Sequence, residues 1–125
     1  MNLFHETSQE CSRITTEKYS TSFSSAIKLL HKDLRAPIYN IYGFVRFADE
    51  IVDTFHEHDK SVLFEEFKQA TYDSLDRGIS LNPILHSFLF QLILSGLLVL
   101  NDSYIFGSIN RFIYFSSNER TFIRD

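Results

Sequence analysis

The sequence predicts an all-α chain, and three observations carry that prediction. Apolar residues between positions 3 and 88 recur at three and four rather than at two. One long stretch, Ile38 to Phe55, is apolar on nearly every side. Residues that start and stop helices, Asp33, Gly78 and Asn82-Pro83, separate these segments.

With 125 residues, 44% of them apolar and 15% aromatic, the chain is of single-domain size and has ample material for a core. Twelve basic against sixteen acidic side chains give a formal charge of −4. With no basic run or aromatic-interleaved basic patch, this argues against nucleic acid as a partner. Cys11 is the single cysteine, which excludes an intrachain disulfide framework and fits a reducing compartment; it reads as a small buried or half-buried side chain. The first residues show no cationic region followed by an apolar one, so a cytoplasmic protein is expected.

The first helix is expected from Leu3 to Lys18, with Phe4, Cys11 and Ile14 turned inward. Tyr19 to Ser25 carries five Ser or Thr hydroxyls, a composition that favours turns and caps, so a cap or break is expected there. Helix resumes over Ala26–Leu30. Asp33 is the N-cap candidate for the third helix, about Leu34 to Phe55, in which Pro37 falls in the first turn. After a charged connection, Leu63, Phe64, Phe67, Ala70, Thr71 and Leu75 mark the inner face of an amphipathic helix. Gly78 suits its C-cap, Asn82-Pro83 restarts the chain, and Ile84 to Phe88 opens another helix.

Composition changes after Phe88. Residues 1–88 hold all five lysines, all five histidines and all four alanines, whereas residues 89–125 hold none. Leu89 to Leu100 is almost unbroken aliphatic and reads as a buried helix or strand-like segment, with membrane association as the alternative. Residues 101–125 show no clean period.

The chemistry gathers in the third helix. Tyr42, Arg46, Asp49 and Asp53 recur at four, three and four, which stacks them along one face as a polar seam. Carboxylates one turn apart repel, by about 0.2 to 0.5 kcal/mol, and want a cation nearby. Arg46, three residues before Asp49 and four before Glu50, can supply it, so an intrahelical salt-bridge ladder is one reading. The apolar surround favours another. Paired carboxylates facing a cavity suit Mg²⁺, which takes oxygen ligands and is completed by a substrate's phosphates. The hydroxyl-rich turn at Ser20-Thr21-Ser22 could then donate to phosphate oxygens. His56 and His58 read as a solvated linker, and Asp73 and Asp76 as a water-facing pair.

Tyr19-Ser20-Thr21-Ser22-Phe23 followed by Ile41-Tyr42-Gly43-Phe44-Val45-Arg46-Phe47-Ala48-Asp49-Glu50-Ile51-Val52-Asp53 resembles the N-terminal part of the squalene and phytoene synthase family, above all its bacterial phytoene synthases of carotenoid biosynthesis. The resemblance implies an isoprenoid synthase-type helical fold. It also implies head-to-head condensation of two prenyl diphosphates, such as geranylgeranyl diphosphate, through a cyclopropylcarbinyl diphosphate, with Mg²⁺ or alternatively Mn²⁺. On it, Asp49 and Asp53 match the first aspartate-rich motif, which holds metal and diphosphate. Ser20, Ser22 and Phe23 match the flap over the substrate, and Tyr42 and Arg46 line the diphosphate end.

The resemblance covers about Phe4 to Phe88. A second D-x-x-x-D, which the family carries on a later helix, is absent from this sequence. The expectation is therefore an incomplete fold: family helices over residues 1–88, and a divergent, apolar tail over 89–125, read as a truncation or a shifted frame. Such a chain is expected to be inactive alone. The alternative is a small helical interaction module that associates, with itself or a partner, through its exposed apolar surface.

Overall fold

The computed structural model describes residues 2–95 and, within them, every side chain except that of Val52. Five helices follow one another: α1 (Leu3–Tyr19), α2 (Thr21–Ile27), α3 (Lys32–Asp53), α4 (Lys60–Arg77) and α5 (Pro83–Leu94). The described residues form no strand, in keeping with the all-α class. α3 is the central element and packs against α1, α4 and α5, while α1 also lies along α5. Residues 96–100 of the aliphatic run and all of residues 101–125 lie outside the described residues; Leu89 to Leu94 is helical, with Leu89 buried and Ile93 and Leu94 exposed. Among the described residues, no helix is long and apolar enough to cross a membrane.

Local chemistry accounts for the boundaries. The Asn2 side chain accepts from the His5 N–H at 2.8 Å and starts α1. Asp59 accepts from the Ser61 and Val62 N–H groups to start α4. Gly78 closes α4 in the left-handed region at φ 77°, where an L side chain would be strained. Asn82 caps α5 through the N–H groups of Ile84 and Leu85, and Pro83 fills its first position, where no donor is needed.

The cap expected within Tyr19–Ser25 is present at Ser20, and three neighbouring boundary expectations are corrected. The Tyr19–Ser25 break is a single residue, Ser20, in extended conformation; its hydroxyl accepts from the Phe23 N–H, so the hydroxyl-rich segment becomes helix α2, which ends at Ile27 rather than running to Leu30. The N-cap of α3 is His31, whose Nδ1 accepts from the Asp33 N–H at 3.2 Å; Asp33 is already helical, its carboxylate in the first turn where the helix dipole favours it. Pro37 is then the sixth residue of α3 and not in its first turn, so the helix forgoes one internal bond there, a loss that packing against three neighbours offsets.

The core centres on Phe44. Its ring lies parallel to that of Phe88 with centroids 4.0 Å apart and also stacks on Phe67 at 5.4 Å, tying α3 to α5 and α4. Ala48, Ile51, Leu75, Ile84, Leu85 and Leu89 complete the cluster, with Cys11 half-buried against it. Ala70, expected inside, is exposed. α3 is not covered all round either: Ile41 is 47% exposed and Leu34 53%.

α1 packs through a face that apolar periodicity does not mark. Ile14, expected inside, is exposed, and the buried residues are His5, Ser8, Ser12 and Thr16. These hydroxyls are satisfied locally: Ser8 donates to the Phe4 carbonyl, Thr16 to that of Ser12, and Ser12 shares a hydrogen bond with Ser87 of α5. Small side chains here let α3 come close. A Cβ at Gly43 would stand 3.0 Å from the Ser12 Oγ, 3.2 Å from its Cβ and 3.3 Å from its Cα. Asn40 continues the polar lining, its amide nitrogen 3.4 Å from the Gln91 side-chain oxygen.

Two tests follow from this packing. Ordinarily Gly→Ala within a helix gains about 1 kcal/mol; at Gly43 the Ser12 hydroxyl cannot swing aside without losing Ser87, and overpacking costs about 1 to 3 kcal/mol. Gly43→Ala should therefore lower the urea midpoint, and Gly43→Val should lower it further. Second, His5 and His86 are buried edge to face at the α1–α5 contact, and burial, joined for His5 by the neighbouring His86, pushes both below the usual histidine value. The unfolded chain then binds more protons between the folded and unfolded values, so stability present above about pH 6.5 is lost as pH falls below it. Urea midpoints should fall on going from about pH 7.5 to about pH 5.5, and a His5→Phe, His86→Phe double variant should flatten that dependence.

Candidate functional site

The polar seam of α3 forms as its spacing requires. Tyr42, Arg46, Asp49 and Asp53 are all half-buried along the helix, with Glu50 beside them. Asp49 and Asp53, one turn apart, each have an interaction within the structure. Arg46 donates from Nη2 to Glu50 Oε2 at 2.9 Å. Arg46 thus pairs with Glu50, and the ladder reading holds for that rung.

A second helix supports the arginine. Tyr19, the last residue of α1, lies under the Arg46 guanidinium, whose central carbon is 4.6 Å from the ring centroid, a cation–π geometry. Burial works against the charge of Arg46, but the hydrogen bond and the charge of Glu50 override it and hold the guanidinium protonated more firmly than usual. The Thr54 side chain, and after it Arg46 and Tyr19, hold the Glu50 carboxyl below the usual carboxylate range against the opposing effect of burial. Burial, then Glu50, pushes the Tyr19 hydroxyl up. Arg46 Nε is buried and meets no acceptor among the described residues, so the arginine retains a donor.

The expected flap residues occupy the start of α2. Phe23 packs its ring on Tyr42, centroids 5.1 Å apart, which brings α2 against the seam. Ser20 is spent partly on capping: its oxygen accepts from the Phe23 N–H, while its own proton remains to be donated. Ser22 is exposed and makes no side-chain hydrogen bond among the described residues. The structure thus joins Phe23 to Tyr42 and Arg46 to Glu50, and leaves the Ser22 hydroxyl in solvent.

Tyr19 and Thr54 were not singled out for roles by spacing. The available signal for Tyr19 was an aromatic residue just before a helix break; Thr54 follows Glu50 at i+4. As candidate ligands for a divalent cation, Asp49 and Asp53 offer oxygen donors of the right kind, two carboxylates one turn apart. Among the described residues, no group of three or more His, Cys, Asp or Glu side chains gathers to hold a metal. His56 and His58 are exposed, as a solvated linker requires, and Asp73 accepts from Gln69 at 3.0 Å on the surface of α4. A hollow of about 270 Å³ on α4, beside Asp73, Arg77 and Ser80, shares no lining residue with the seam.

Comparison with known proteins bears on the family of this chain. Neither the characterised proteins nor the solved structures yield a match. The family profile described as Squalene/phytoene synthase matches residues 16–90, from the last turn of α1 into α5, and so takes in the seam and the whole of α2. Since that match spans more than half of the chain, the protein belongs to the squalene/phytoene synthase family.

Proposed function

We propose that the seam of α3 and the start of α2 form one wall of a prenyl diphosphate site of the head-to-head type, as in conversion of geranylgeranyl diphosphate to phytoene. The observation that carries this reading is the meeting of the two on α3: Phe23 packs at a tilt against Tyr42 one turn before Arg46, with Asp49 and Asp53 in the next two turns. Family membership supplies the substrate class.

In this reading Asp49 and Asp53 bind the cation, Mg²⁺ or Mn²⁺, through carboxylate oxygens. The cation, when bound, neutralises the diphosphate and makes it a better leaving group. Arg46 adds a fixed positive charge and a free donor at the same end. Ser20 and Ser22 donate hydroxyl protons to phosphate oxygens. The Phe23 ring, 41% exposed, supplies apolar cover where the prenyl chain leaves its diphosphate. Tyr42 fixes that ring in place.

A wall is not a complete site. The sequence holds a single D-x-x-x-D, and among the described residues that carboxylate pair comes from one helix, α3. We therefore assign residues 1–88 to the family's first helices and residues 89–125 to a divergent tail, and the chain by itself should not complete the condensation. A second reading, a helical module that associates through apolar surface, is favoured by the exposure of Leu34 and Ile41 on α3.

Calorimetry with inorganic diphosphate and Mg²⁺ tests the first reading. Binding should need the cation, weaken about tenfold or more in Asp49→Asn or Asp53→Asn, and weaken with added salt; cation-independent binding would sink it. The same preparation should give no prenyl product from geranylgeranyl diphosphate. For the second reading, sedimentation should show mass rising with concentration, and a monomer at every concentration would remove it.

A further inference from the structure

Arg46 is held from two directions by residues with no assigned part in binding. Tyr19 reaches its flat face from the end of α1, with the guanidinium carbon 4.6 Å from the ring centroid. Glu50 takes its edge at 2.9 Å from one turn further along α3. The pair is poorly hydrated: the side chains of Arg46 and Glu50 are 23% and 14% exposed, so the ion pair is screened much less than one on an open surface. A guanidinium on a four-bond stem otherwise samples many rotamers and loses that freedom on meeting an anion. Stacking and the ion pair remove the freedom beforehand.

We propose that Tyr19 and Glu50 are positioning residues that preset Arg46 for an anionic ligand of the diphosphate class. The proposal rests on the site reading given above. The division of labour is specific. Tyr19 contributes its ring face to the guanidinium, which a phenyl ring can also supply, while its hydroxyl bears on the Glu50 carboxyl. Glu50 contributes an acceptor at the guanidinium edge. Its negative charge sits close to any bound anion, so it trades some attraction for orientation. Tyr19 also immediately precedes Ser20, the cap of α2, so the residue that steadies the arginine leads directly into the segment that covers the seam.

The experiment uses the whole chain with Tyr19→Leu, Tyr19→Phe, Glu50→Gln and Glu50→Ala, and reads two quantities. The first is the side-chain Nε–H resonance of Arg46, assigned by its loss in Arg46→Lys. In the wild type it should be shifted upfield by the ring and exchange slowly. Tyr19→Leu should abolish the shift while Tyr19→Phe keeps it, and Glu50→Ala should speed exchange while Glu50→Gln restores it in part. The second is calorimetric affinity for inorganic diphosphate with Mg²⁺. Tyr19→Leu and Glu50→Ala should weaken it about fivefold, with partial rescue by Tyr19→Phe and Glu50→Gln. An Arg46 resonance indifferent to Tyr19→Leu and Glu50→Ala overturns the positioning claim even if diphosphate binds. Unaltered affinity in those variants, beside a loss in Arg46→Ala, overturns it equally. If Arg46 responds as expected but the wild type binds no diphosphate, it is the site reading that fails, and the assignment of a diphosphate-class ligand is overturned with it.

Discussion

The approach of α1 to α3 at Ser12 and Gly43 fixes the rest of this arrangement. A Cβ at Gly43 would stand 3.0 Å from the Ser12 hydroxyl, so the glycine lets the two helices meet without either giving way. From that contact Tyr19 is seven residues along α1 and Glu50 seven residues along α3, about 10.5 Å on each helix at 1.5 Å per residue. The aromatic face and the carboxylate that grip Arg46 are thus carried the same distance from a shared point. About 100° round α3 from that contact, Phe44 packs against Phe67 and Phe88 and helps set the helix's rotation about its axis. With spacing fixed on one side and rotation on the other, the seam has little freedom in where it faces.

Much of this was legible in the residues. The four–three–four spacing of Tyr42, Arg46, Asp49 and Asp53 survives in three dimensions because a long helix with a strong apolar pattern has no competing conformation. Gly78 and Asn82-Pro83 were legible for a different reason: positive φ and a missing donor admit few alternatives. Ser20, Ser22 and Phe23 were legible through family likeness and not through periodicity.

What escaped did so for physical reasons. Ser8, Ser12 and Thr16 read as water-facing on any polarity scale, yet each can bond to a neighbouring carbonyl or across to α5, which removes the cost of burying it. Arg46 could reach acidic residues at both i+3 and i+4, and spacing alone does not choose between them; Tyr19, from another helix, bears on the same guanidinium. His31 displaced Asp33 as cap because both side chains can accept and the backbone turns helical one residue after His31.

The hydroxyl-lined contact between α1 and α3 has a consequence for how this sequence can vary. Apolar cores commonly absorb substitutions by exchanging volume between neighbours, a gain at one position offset by a loss at the next. Across Ser12 and Gly43 there is no volume to exchange, since one partner already has no side chain and the other is tied to Ser87. Repacking is therefore open to the Phe44 side of α3 and closed to the other. A chain that drifted while keeping its fold would change its aromatic cluster well before it changed this pair of small residues.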